Sequence, residues 1–265
     1  MSKTTLHKTA VVTGAGRGLG EHVALGLAAR GFRVAVVARS SEQVAETVRK
    51  IEGGNGMAMG AATDVGDIAG VERLKAIVHE RLGPVSVLIN AAGVFGPIQL
   101  VQDSDPQRWI ETVLTNTVGP YLTCRAFVPD MLEAGWGRII NFSSAAALHP
   151  PGPLNSAYGV SKVGLNQFTR HLAAELNGTG VTANVIHPGE VKTAMWANFR
   201  DESQTAGLIG SGYRAWAGLV EKSGGDDPQK ALDLCLRLID EDASPTNGKF
   251  LWIEDGMQAP LPSWD

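Results

Sequence analysis

Short apolar runs alternate with stretches of helical periodicity along almost the whole chain, and this alternation constrains the fold more than any other feature. The runs are typical of buried strands, and several are rich in β-branched residues. Strands separated by helices favour a parallel sheet, and uninterrupted apolar runs indicate strands covered by helices on both faces. The predicted strands are 9–13, 33–38, 57–62, 85–90, 137–143, 181–187 and 249–254.

The segments between these runs carry apolar residues at helical spacing, and nothing in them divides the chain. Because no Pro/Gly/Ser-rich linker or repeat is present, we interpret residues 1–265 as a single domain. The alternation therefore predicts an α/β fold built on a doubly wound parallel sheet. It breaks at 189–227, which we expect to be a long, irregular, functional insertion. The predicted helices are 18–30, 41–52, one marked by Val71, Leu74, Ile77 and Val78, one or two in 105–133, 157–177 and 228–240.

Charge and cysteine content exclude several classes of function. The formal net charge is −4, and no run of Lys and Arg suggests a nucleic-acid or anionic-membrane surface. The two cysteines, Cys124 and Cys235, form no CxxC or Cys/His cluster, so we expect buried thiols and no metal site. No apolar run approaches the roughly 18 residues of a spanning helix, and the N-terminus lacks a signal peptide. We expect a cytoplasmic protein without a membrane or nucleic-acid partner.

A glycine-rich turn, TGAGRGLG (13–20), follows the first predicted strand. Glycines allow the backbone to turn sharply and to approach a ligand closely, and the helix that follows offers unpaired N–H groups to a phosphate. The strict G-x-G-x-x-G pattern fails at Leu19, whereas Gly14, Gly18 and Gly20 fit a wider spacing. The turn predicts a pyrophosphate cradle; tight strand–helix packing is the alternative.

The end of the second strand indicates which dinucleotide would bind. Enzymes that prefer NAD place a carboxylate there to bind the ribose 2′-hydroxyl, but this chain has Ala38 and Arg39. Arg17 lies within the glycine turn, and two guanidinium groups favour a 2′-phosphate. We therefore predict NADP(H) in preference to NAD(H), the alternative being that both arginines are solvated surface residues. Asp64, after the third strand, is a candidate for the adenine edge.

Tyr158 and Lys162 are four residues apart at the start of a predicted helix, so they share one helix face. A phenol with an ordinary pKa is too weak an acid for proton transfer at neutral pH. A cation about 4 Å away contributes about 4 kcal/mol at an effective dielectric near 20, enough to lower that pKa by more than one unit. The pair therefore predicts a general acid–base catalyst, although the spacing alone also fits two neighbouring surface residues.

Polar residues near the same sheet edge complete the candidate site. Ser143 and Ser144 follow the fifth strand, where a hydroxyl could bind a carbonyl oxygen as negative charge develops. A nucleophilic serine is not favoured, because no G-x-S-x-G elbow surrounds either residue. Asn116 lies within a predicted helix, where asparagine is a poor helix former; it fits a functional role or a polar packing contact equally well.

These motifs together resemble the short-chain dehydrogenase/reductase family, in its short single-domain branch. The segment NAAG (90–93) is similar to the family's Asn-Asn-Ala-Gly, with Ala91 in place of the second asparagine, and HPGEVKT (187–193) matches its Pro-Gly-x-Val-x-Thr. The family's catalytic tetrad is matched by Asn116, Ser144, Tyr158 and Lys162. The Ser144–Tyr158 separation is one residue longer than usual, so we infer an insertion in AALHPPGPLNS and keep Ser143 as the alternative.

The resemblance implies a Rossmann-type sheet of about seven strands and interconversion of a carbonyl and a secondary alcohol. It implies that Tyr158 donates the proton, that Lys162 lowers the tyrosine pKa and holds the ribose, and that Ser144 orients the carbonyl. Asn116 would kink its helix and hold a water. A homotetramer or dimer through 105–133 and 157–177 is also implied. The implied cofactor contacts are Gly14, Arg17, Gly18, Leu19, Gly20, Arg39, Asp64, Val65, Asn90, Ala91, Tyr158, Lys162, Pro188, Gly189, Val191 and Thr193.

The residues expected around the substrate are mostly apolar, which favours a ketone or alcohol with a hydrophobic body. Three other functions stay open: a non-catalytic NADP-binding regulator, an alcohol dehydrogenase that uses NAD, and a nucleotide-sugar epimerase or dehydratase of the same fold. His149 and Trp196 each fit a structural role as well as a functional one. The expected substrate residues are Phe95, Ser144, Ala145, Leu148, His149, Leu154, Trp196 and Phe199.

Overall fold

One parallel sheet of seven strands forms the centre of the molecule. The computed structural model describes residues 8–149, 152–240 and 245–257. Every neighbouring pair of strands is parallel, in the spatial order β3-β2-β1-β4-β5-β6-β7, which confirms the predicted α/β, Rossmann-type fold. The strands are β1 Thr9–Thr13, β2 Arg33–Ala38, β3 Met57–Ala62, β4 Val87–Asn90, β5 Gly137–Phe142, β6 Val181–His187 and β7 Phe250–Trp252.

Helices connect the strands and cover both faces of the sheet. None of the helices in the described ranges is long and apolar enough to cross a bilayer. The helices are α1 Gly18–Ala29, α2 Ser41–Gly53, α3 Ile68–Leu82, α4 Pro106–Val113, α5 Gly119–Ala134, α6 Ser156–Glu175, α7 Ala194–Thr205, α8 Ser211–Ser223 and α9 Pro228–Asp240.

Alternate residues of each strand point to opposite faces, and this produces two apolar layers. In β1, Val12 packs into the layer under α1, α2 and α9, whereas its neighbour Val11 packs into the layer under α3 and α5. Both side chains are fully buried, so the uninterrupted apolar run of β1 is explained by two covered faces.

The strand order reverses between β1 and β4, whose last residues, Thr13 and Asn90, are paired in register. Ligands of open parallel sheets bind beyond the carboxyl ends of the strands at this switch point. The glycine turn after β1 and the NAAG segment after β4 therefore lie side by side there: the amide of Ala92 donates to the Thr13 hydroxyl over 3.2 Å.

The prediction that 189–227 is irregular was wrong, because α7 and α8 occupy most of it. These helices bury Phe199, Ala217 and Val220, so tertiary packing stabilises them. In α8 the residues Tyr213, Trp216, Ala217 and Val220 also recur at helical spacing, a signal that the prediction overlooked. The 105–133 segment, predicted as one helix or two, contains α4 and α5 joined by a π-helical turn, Leu114–Val118.

Candidate active site

The glycine turn has a shape that only glycine can adopt. Gly14 has φ of +67°, and a β-carbon there would lie 2.7 Å from the backbone of Ala92. A β-carbon on Gly20 would lie 2.3 Å from the carbonyl oxygen of Gly14. No side chain caps α1, so its first N–H groups remain available to a ligand. The turn thus fits a pyrophosphate, which needs close backbone approach and a helix N-terminus.

A cavity of about 590 Å³ extends from this turn along the carboxyl edge of the sheet; we call it the glycine-side cavity. Tyr158 and Lys162 form its inner end, and Arg17 and Arg39 line its outer part. Most of the predicted cofactor residues meet here, namely Gly14, Arg17, Gly18, Leu19, Gly20, Arg39, Asp64, Val65, Ala91, Tyr158, Lys162, Pro188 and Thr193.

Three predicted cofactor residues lie elsewhere. The Asn90 amide donates to the Asn141 side chain over 2.9 Å and accepts from the Thr123 hydroxyl over 2.7 Å, so it joins β4 to β5 and α5 inside the core. Gly189 and Val191 line the neighbouring cavity on the other side of Tyr158. The buried amide of Asn90 thus joins neighbouring elements at the start of the NAAG segment. Asn90 does not line the glycine-side cavity.

The outer part of the glycine-side cavity carries arginine where an acid would favour NAD. Ala38, Arg39 and Ser40 line the wall after β2. The Ser40 side chain accepts a hydrogen bond from the backbone N–H of Gln43, capping α2. Asp64 accepts from the Gly66 amide over 2.9 Å, which fixes its carboxylate at the end of the loop after β3. Arg17 and Arg39 thus both belong to the wall of this cavity.

Tyr158 and Lys162 lie one turn apart near the start of α6, and both are buried. The Lys162 ammonium donates to the carbonyl oxygen of Phe142 over 2.8 Å and lies 5.5 Å from the centre of the Tyr158 ring. The ring of Phe95 stacks on Tyr158 with centroids 4.6 Å apart. These contacts hold the phenol in one orientation, between the two cavities.

The two adjacent serines make different contacts. The Ser143 hydroxyl donates to the Asn166 side chain over 2.7 Å and is buried. Ser144 caps a short 3₁₀ helix, accepting from the amide of Ala146, and its hydroxyl is hydrogen-bonded to Tyr158. Ser144 therefore stands beside the phenol, whereas Ser143 is bonded to α6 through Asn166. Two residues of the inserted segment, Pro150 and Pro151, lie outside the described residues.

Asn116 lies in the middle of the π-helical turn, where the α-helical hydrogen-bond pattern is interrupted. Its side-chain amide donates to the carbonyl of Val94 over 2.8 Å and to Ser161, and it accepts from the amide of Val94. A β-carbon on Gly93 would lie 3.4 Å from its Oδ1 and 3.7 Å from Lys162 Nζ. Asn116 thus holds the NAAG loop close to the lysine.

The expected depression of the tyrosine pKa by Lys162 was wrong for the protein's own groups. Burial raises the pKa of Tyr158 to about 12, and the hydrogen bond with Ser144 offsets this only in part. Burial also lowers the pKa of Lys162 to about 7, so the lysine is itself only partly charged at neutral pH. The ammonium faces the ring and a carbonyl, which weakens its effect on the phenol oxygen.

A second cavity of about 450 Å³ begins at Tyr158 and runs under α7 and α8; we call it the aromatic cavity. Six of the residues expected around the substrate line this cavity, namely Phe95, Ser144, Ala145, His149, Trp196 and Phe199. Leu148 and Leu154 are not in its wall. Leu154 has φ of +78° and is buried against Ile98 and Phe199 beneath the wall, because the loop turns inward there.

Several lining residues were not predicted from the sequence. Glu190 stands between two residues of the recognised Pro-Gly-x-Val motif, and an acid among apolar neighbours could have drawn attention to it. Burial and the charge of Asp226 raise the pKa of Glu190 to about 7. His187, at the end of β6, accepts from the amide of Ala145 through Nδ1, and burial lowers its pKa to about 3. Met195, Tyr213 and Trp216 also line the cavity.

Comparison with known proteins agrees with this geometry. The family model described as short chain dehydrogenase matches residues 8–204. A putative ketoacyl reductase of Streptomyces coelicolor is 37% identical over 73% of this chain and 74% of its own length. A short chain dehydrogenase of Pseudocercospora fijiensis is 35% identical over 72% of this chain, and the matched part is 62% of that relative's length.

A solved structure shows the same architecture. A variant of actinorhodin polyketide ketoreductase, determined with NADPH, superposes with a TM-score of 0.84 and 31% sequence identity, covering 92% of this chain and 95% of the other. The family match extends over more than half of the chain and includes the glycine turn, the tyrosine and the lysine. The chain therefore belongs to the short-chain dehydrogenase/reductase family of oxidoreductases.

Proposed function

We propose that this protein is an NADP(H)-dependent oxidoreductase that interconverts a ketone with a hydrophobic body and the corresponding secondary alcohol. One observation carries the proposal. The hydrogen-bonded hydroxyls of Ser144 and Tyr158 lie where a dinucleotide-sized cavity meets an aromatic one. A carbonyl group in the aromatic cavity would reach both hydroxyls from one side and the end of the glycine-side cavity from the other.

The glycine-side cavity fits a dinucleotide phosphate on three counts. The turn leaves no space for a side chain at Gly14 or Gly20. No side chain caps the N-terminus of α1. Arg17 and Arg39 line the part of the cavity where a 2′-phosphate would lie. The ketoreductase that resembles this chain was determined with NADPH. When bound, the reduced nicotinamide would supply the hydride. Lys162, at the inner end, is positioned to bind the adjoining ribose.

The chain's own residues would control the proton and the charge on oxygen. Tyr158 donates its proton to the carbonyl oxygen, which becomes the alcohol, and Ser144 donates a hydrogen bond to the same oxygen as charge develops. Asn116 holds the NAAG loop through Val94. The Lys162 ammonium, bound to the Phe142 carbonyl beside the phenol ring, would return a proton to Tyr158 and regain one from solvent. Burial makes Tyr158 a weaker acid and keeps it protonated. Its proton can still move to the product oxygen, because the alkoxide that hydride transfer generates is a stronger base than a phenolate.

We infer a homo-oligomer, dimer or tetramer, through the outer faces of α4 to α6. These helices leave apolar side chains exposed, among them Ile110, Tyr121, Leu132, Val160 and Val163. Contiguous exposed apolar surface on a folded domain marks an interaction site. Light scattering after gel filtration would measure the mass, and Val160→Glu with Val163→Glu should reduce it to that of one chain. A single-chain mass for the unmodified protein would refute the oligomer.

Turnover with a panel of ketones tests the proposed reaction. The protein is mixed with NADPH and ketones of increasing hydrophobic size, and NADPH absorbance is followed. With NADPH deuterated at the transferable position, the label should appear on the carbinol carbon of the product. Failure of every ketone and of every corresponding alcohol with NADP⁺, although the dinucleotide binds, would support the non-catalytic alternative and contradict the proposal.

A further inference from the structure

The aromatic cavity has a one-sided charge. Its walls are largely apolar, and Glu190 is the one carboxylic acid among its described lining residues. No lysine or arginine belongs to the part of the wall that the structure describes. The other titratable groups of that wall are two histidines and two tyrosines, His149, His187, Tyr158 and Tyr213. A guest in this cavity therefore meets one acid and no fixed cation.

Glu190 is held in place from two sides. Its backbone N–H donates to the carboxylate of Asp226 over 2.8 Å, and Asp226 also accepts from the amide of Met257. Its side-chain Oε1 lies 3.7 Å from Nε2 of His187, whose ring packs against Trp252 with centroids 4.3 Å apart. Because His187 uses Nδ1 as an acceptor, Nε2 carries the hydrogen and faces the carboxyl group.

The acid is electrostatically connected to the reaction centre. Glu190 in its ionised form raises the pKa of Tyr158, which places its charge within reach of the phenol. Desolvation and the charge of Asp226 raise the pKa of Glu190 itself to about 7. A cationic guest would reverse this shift and gain a buried ion pair, whereas an anionic guest would add a third negative group.

The aromatic wall adds a second preference of the same sign. Trp196, Phe199 and Trp216 line the cavity, and aromatic faces attract cations when the site is shielded from water. Trp196 already attracts cations within the fold, because Lys192 and Arg200 lie 5.6 Å and 5.2 Å from its ring. Both the acid and the rings therefore favour a positively charged hydrogen-bond donor.

We propose that Glu190 is the specificity-determining residue of the aromatic cavity: its carboxyl group receives an ammonium group carried on the body of an aromatic ketone and excludes ketones that carry a carboxylate. A hydroxyl donor in the same place binds less strongly, because it forms the hydrogen bond without the charge. This inference rests on the proposed ketone reduction, since it names the class of ketone that the site takes.

The test uses acetophenones that differ in one substituent. Aminomethyl, hydroxymethyl, methyl and carboxylate groups are placed at the meta or the para position of the ring. The two positions test two distances between the ketone carbonyl and the substituent that would meet Glu190. The unmodified protein, Glu190→Gln and the control Glu175→Gln are compared; Glu175 is exposed on α6, away from the cavity. Rates are measured with NADPH, and ketone binding is measured with NADP⁺ by tryptophan fluorescence, since no reduction occurs there.

The unmodified protein and Glu175→Gln should prefer the aminomethyl ketone to the carboxylate by about 100-fold in kcat/KM, with the hydroxymethyl and methyl compounds between them. In Glu190→Gln this ratio should fall to about threefold or less, mainly through KM, because Gln keeps the size and loses the charge. Fluorescence should show the same order of affinities.

Two results would overturn the role of Glu190: an unchanged aminomethyl-to-carboxylate ratio in Glu190→Gln, or no binding of the aminomethyl ketones to the unmodified protein. A different result would count against the reduction alone. If the fluorescence order depends on Glu190 as expected but no ketone is reduced, the selectivity stands and the proposed reaction is refuted.

Discussion

The two cavities that meet at Tyr158 are built from different parts of the polypeptide. The glycine-side cavity is lined mainly by segments that follow strands, namely the turn after β1, the ends of β2 and β3 and the NAAG loop after β4, together with residues of α7. The aromatic cavity is formed by side chains, many of them from α7 and α8 or from the turn around Glu190. Segments that directly follow a strand are marked by short motifs, whereas a cavity under α7 and α8 depends on how distant helices pack.

This difference separates what every dinucleotide-binding chain must keep from what can vary. A β-carbon at Gly14 or Gly20 would collide with backbone atoms, so few sequences can form the cradle. In the aromatic cavity a β-carbon on Gly152 or Gly212 would meet nothing within 4 Å, although one on Gly189 would lie 2.3 Å from Ile253. We therefore infer that the first cavity determines the class of reaction, and we propose that the second selects the substrate.

The adjacent serines give the largest expected contrast. Ser144→Ala should lower kcat by about 100-fold or more, because it removes a donor to the carbonyl oxygen. Ser143→Ala should instead leave the Asn166 side chain without its partner and cost about 1–3 kcal/mol of unfolding free energy. Steady-state rates and urea unfolding of both variants check this. A loss of kcat confined to Ser143→Ala would overturn the assignment of Ser144.

Glu190 predicts a pH-dependent stability on the aromatic side. Its carboxyl has a folded pKa of about 7, above its ordinary value of 4.5, so the unfolded chain releases this proton first. The free energy of unfolding should therefore fall as pH rises from 4.5 to about 7. Glu190→Gln has no proton to lose at this position. Its free energy of unfolding should therefore be higher than that of the unmodified protein by up to about 3 kcal/mol at pH 8 and by little at pH 4.5.

Urea unfolding at both pH values measures this difference. Glu175→Gln changes the same chemical group on the exposed side of α6, and its difference from the unmodified protein should not vary with pH. A pH-independent difference for Glu190→Gln would contradict the buried, proton-binding carboxyl.

Paired glycine substitutions compare the two cavities directly. Gly20→Ala should cost about 1–3 kcal/mol of unfolding free energy, because the added carbon meets the Gly14 carbonyl, and should weaken NADPH binding. Gly212→Ala, in α8, should stabilise the protein by about 0.5–1 kcal/mol, since alanine favours a helix and space is available. Calorimetry and NADPH titration measure both. Equal effects would mean that the two cavities are equally constrained.

Arg39 gives the smallest expected effect, on cofactor choice. Arg39→Asp should reduce the preference for NADPH over NADH by about tenfold or more, because a carboxylate repels the 2′-phosphate and accepts from a 2′-hydroxyl. Arg49→Asp, on the exposed face of α2, is the matched control. The NADPH and NADH affinities of both variants are measured. An unchanged preference for NADPH in Arg39→Asp would mean that Arg39 is a surface residue without a role in cofactor choice.

The sheet could be predicted because its signal is local. The strands at 9–13, 33–38, 57–62 and 181–187 were predicted with the bounds that the structure has, since buried parallel strands are continuous apolar runs. The Tyr158–Lys162 turn and the cradle followed from spacing within a few residues. Asn116 is an intermediate case. The resemblance identified it as a member of the tetrad, but its two hydrogen bonds to the backbone of Val94 depend on a loop distant in sequence.

The aromatic side could not be predicted in the same way. Phe199 of α7 and Ala217 of α8 pack with Leu154, a contact between distant segments that sequence spacing does not reveal. The helical spacing of Tyr213, Trp216 and Val220 in α8 was present in the sequence and was overlooked. The pKa of Tyr158 was expected to fall from sequence spacing alone, yet burial dominates it, and burial is a property of the assembled fold. Glu190 was overlooked because its effect depends on Asp226, 36 residues away in the chain.

The most direct measurement of the central claim is the reduction rate and NADPH affinity of Tyr158→Phe beside Tyr121→Phe. Tyr121 lies exposed on α5, so the same atom is removed outside the site. Tyr158→Phe should lower kcat by about 100-fold or more, with NADPH affinity and thermal stability unchanged, because only the proton donor is lost. Tyr121→Phe should retain full activity. Undiminished turnover in Tyr158→Phe would contradict the assignment of the phenol as the acid.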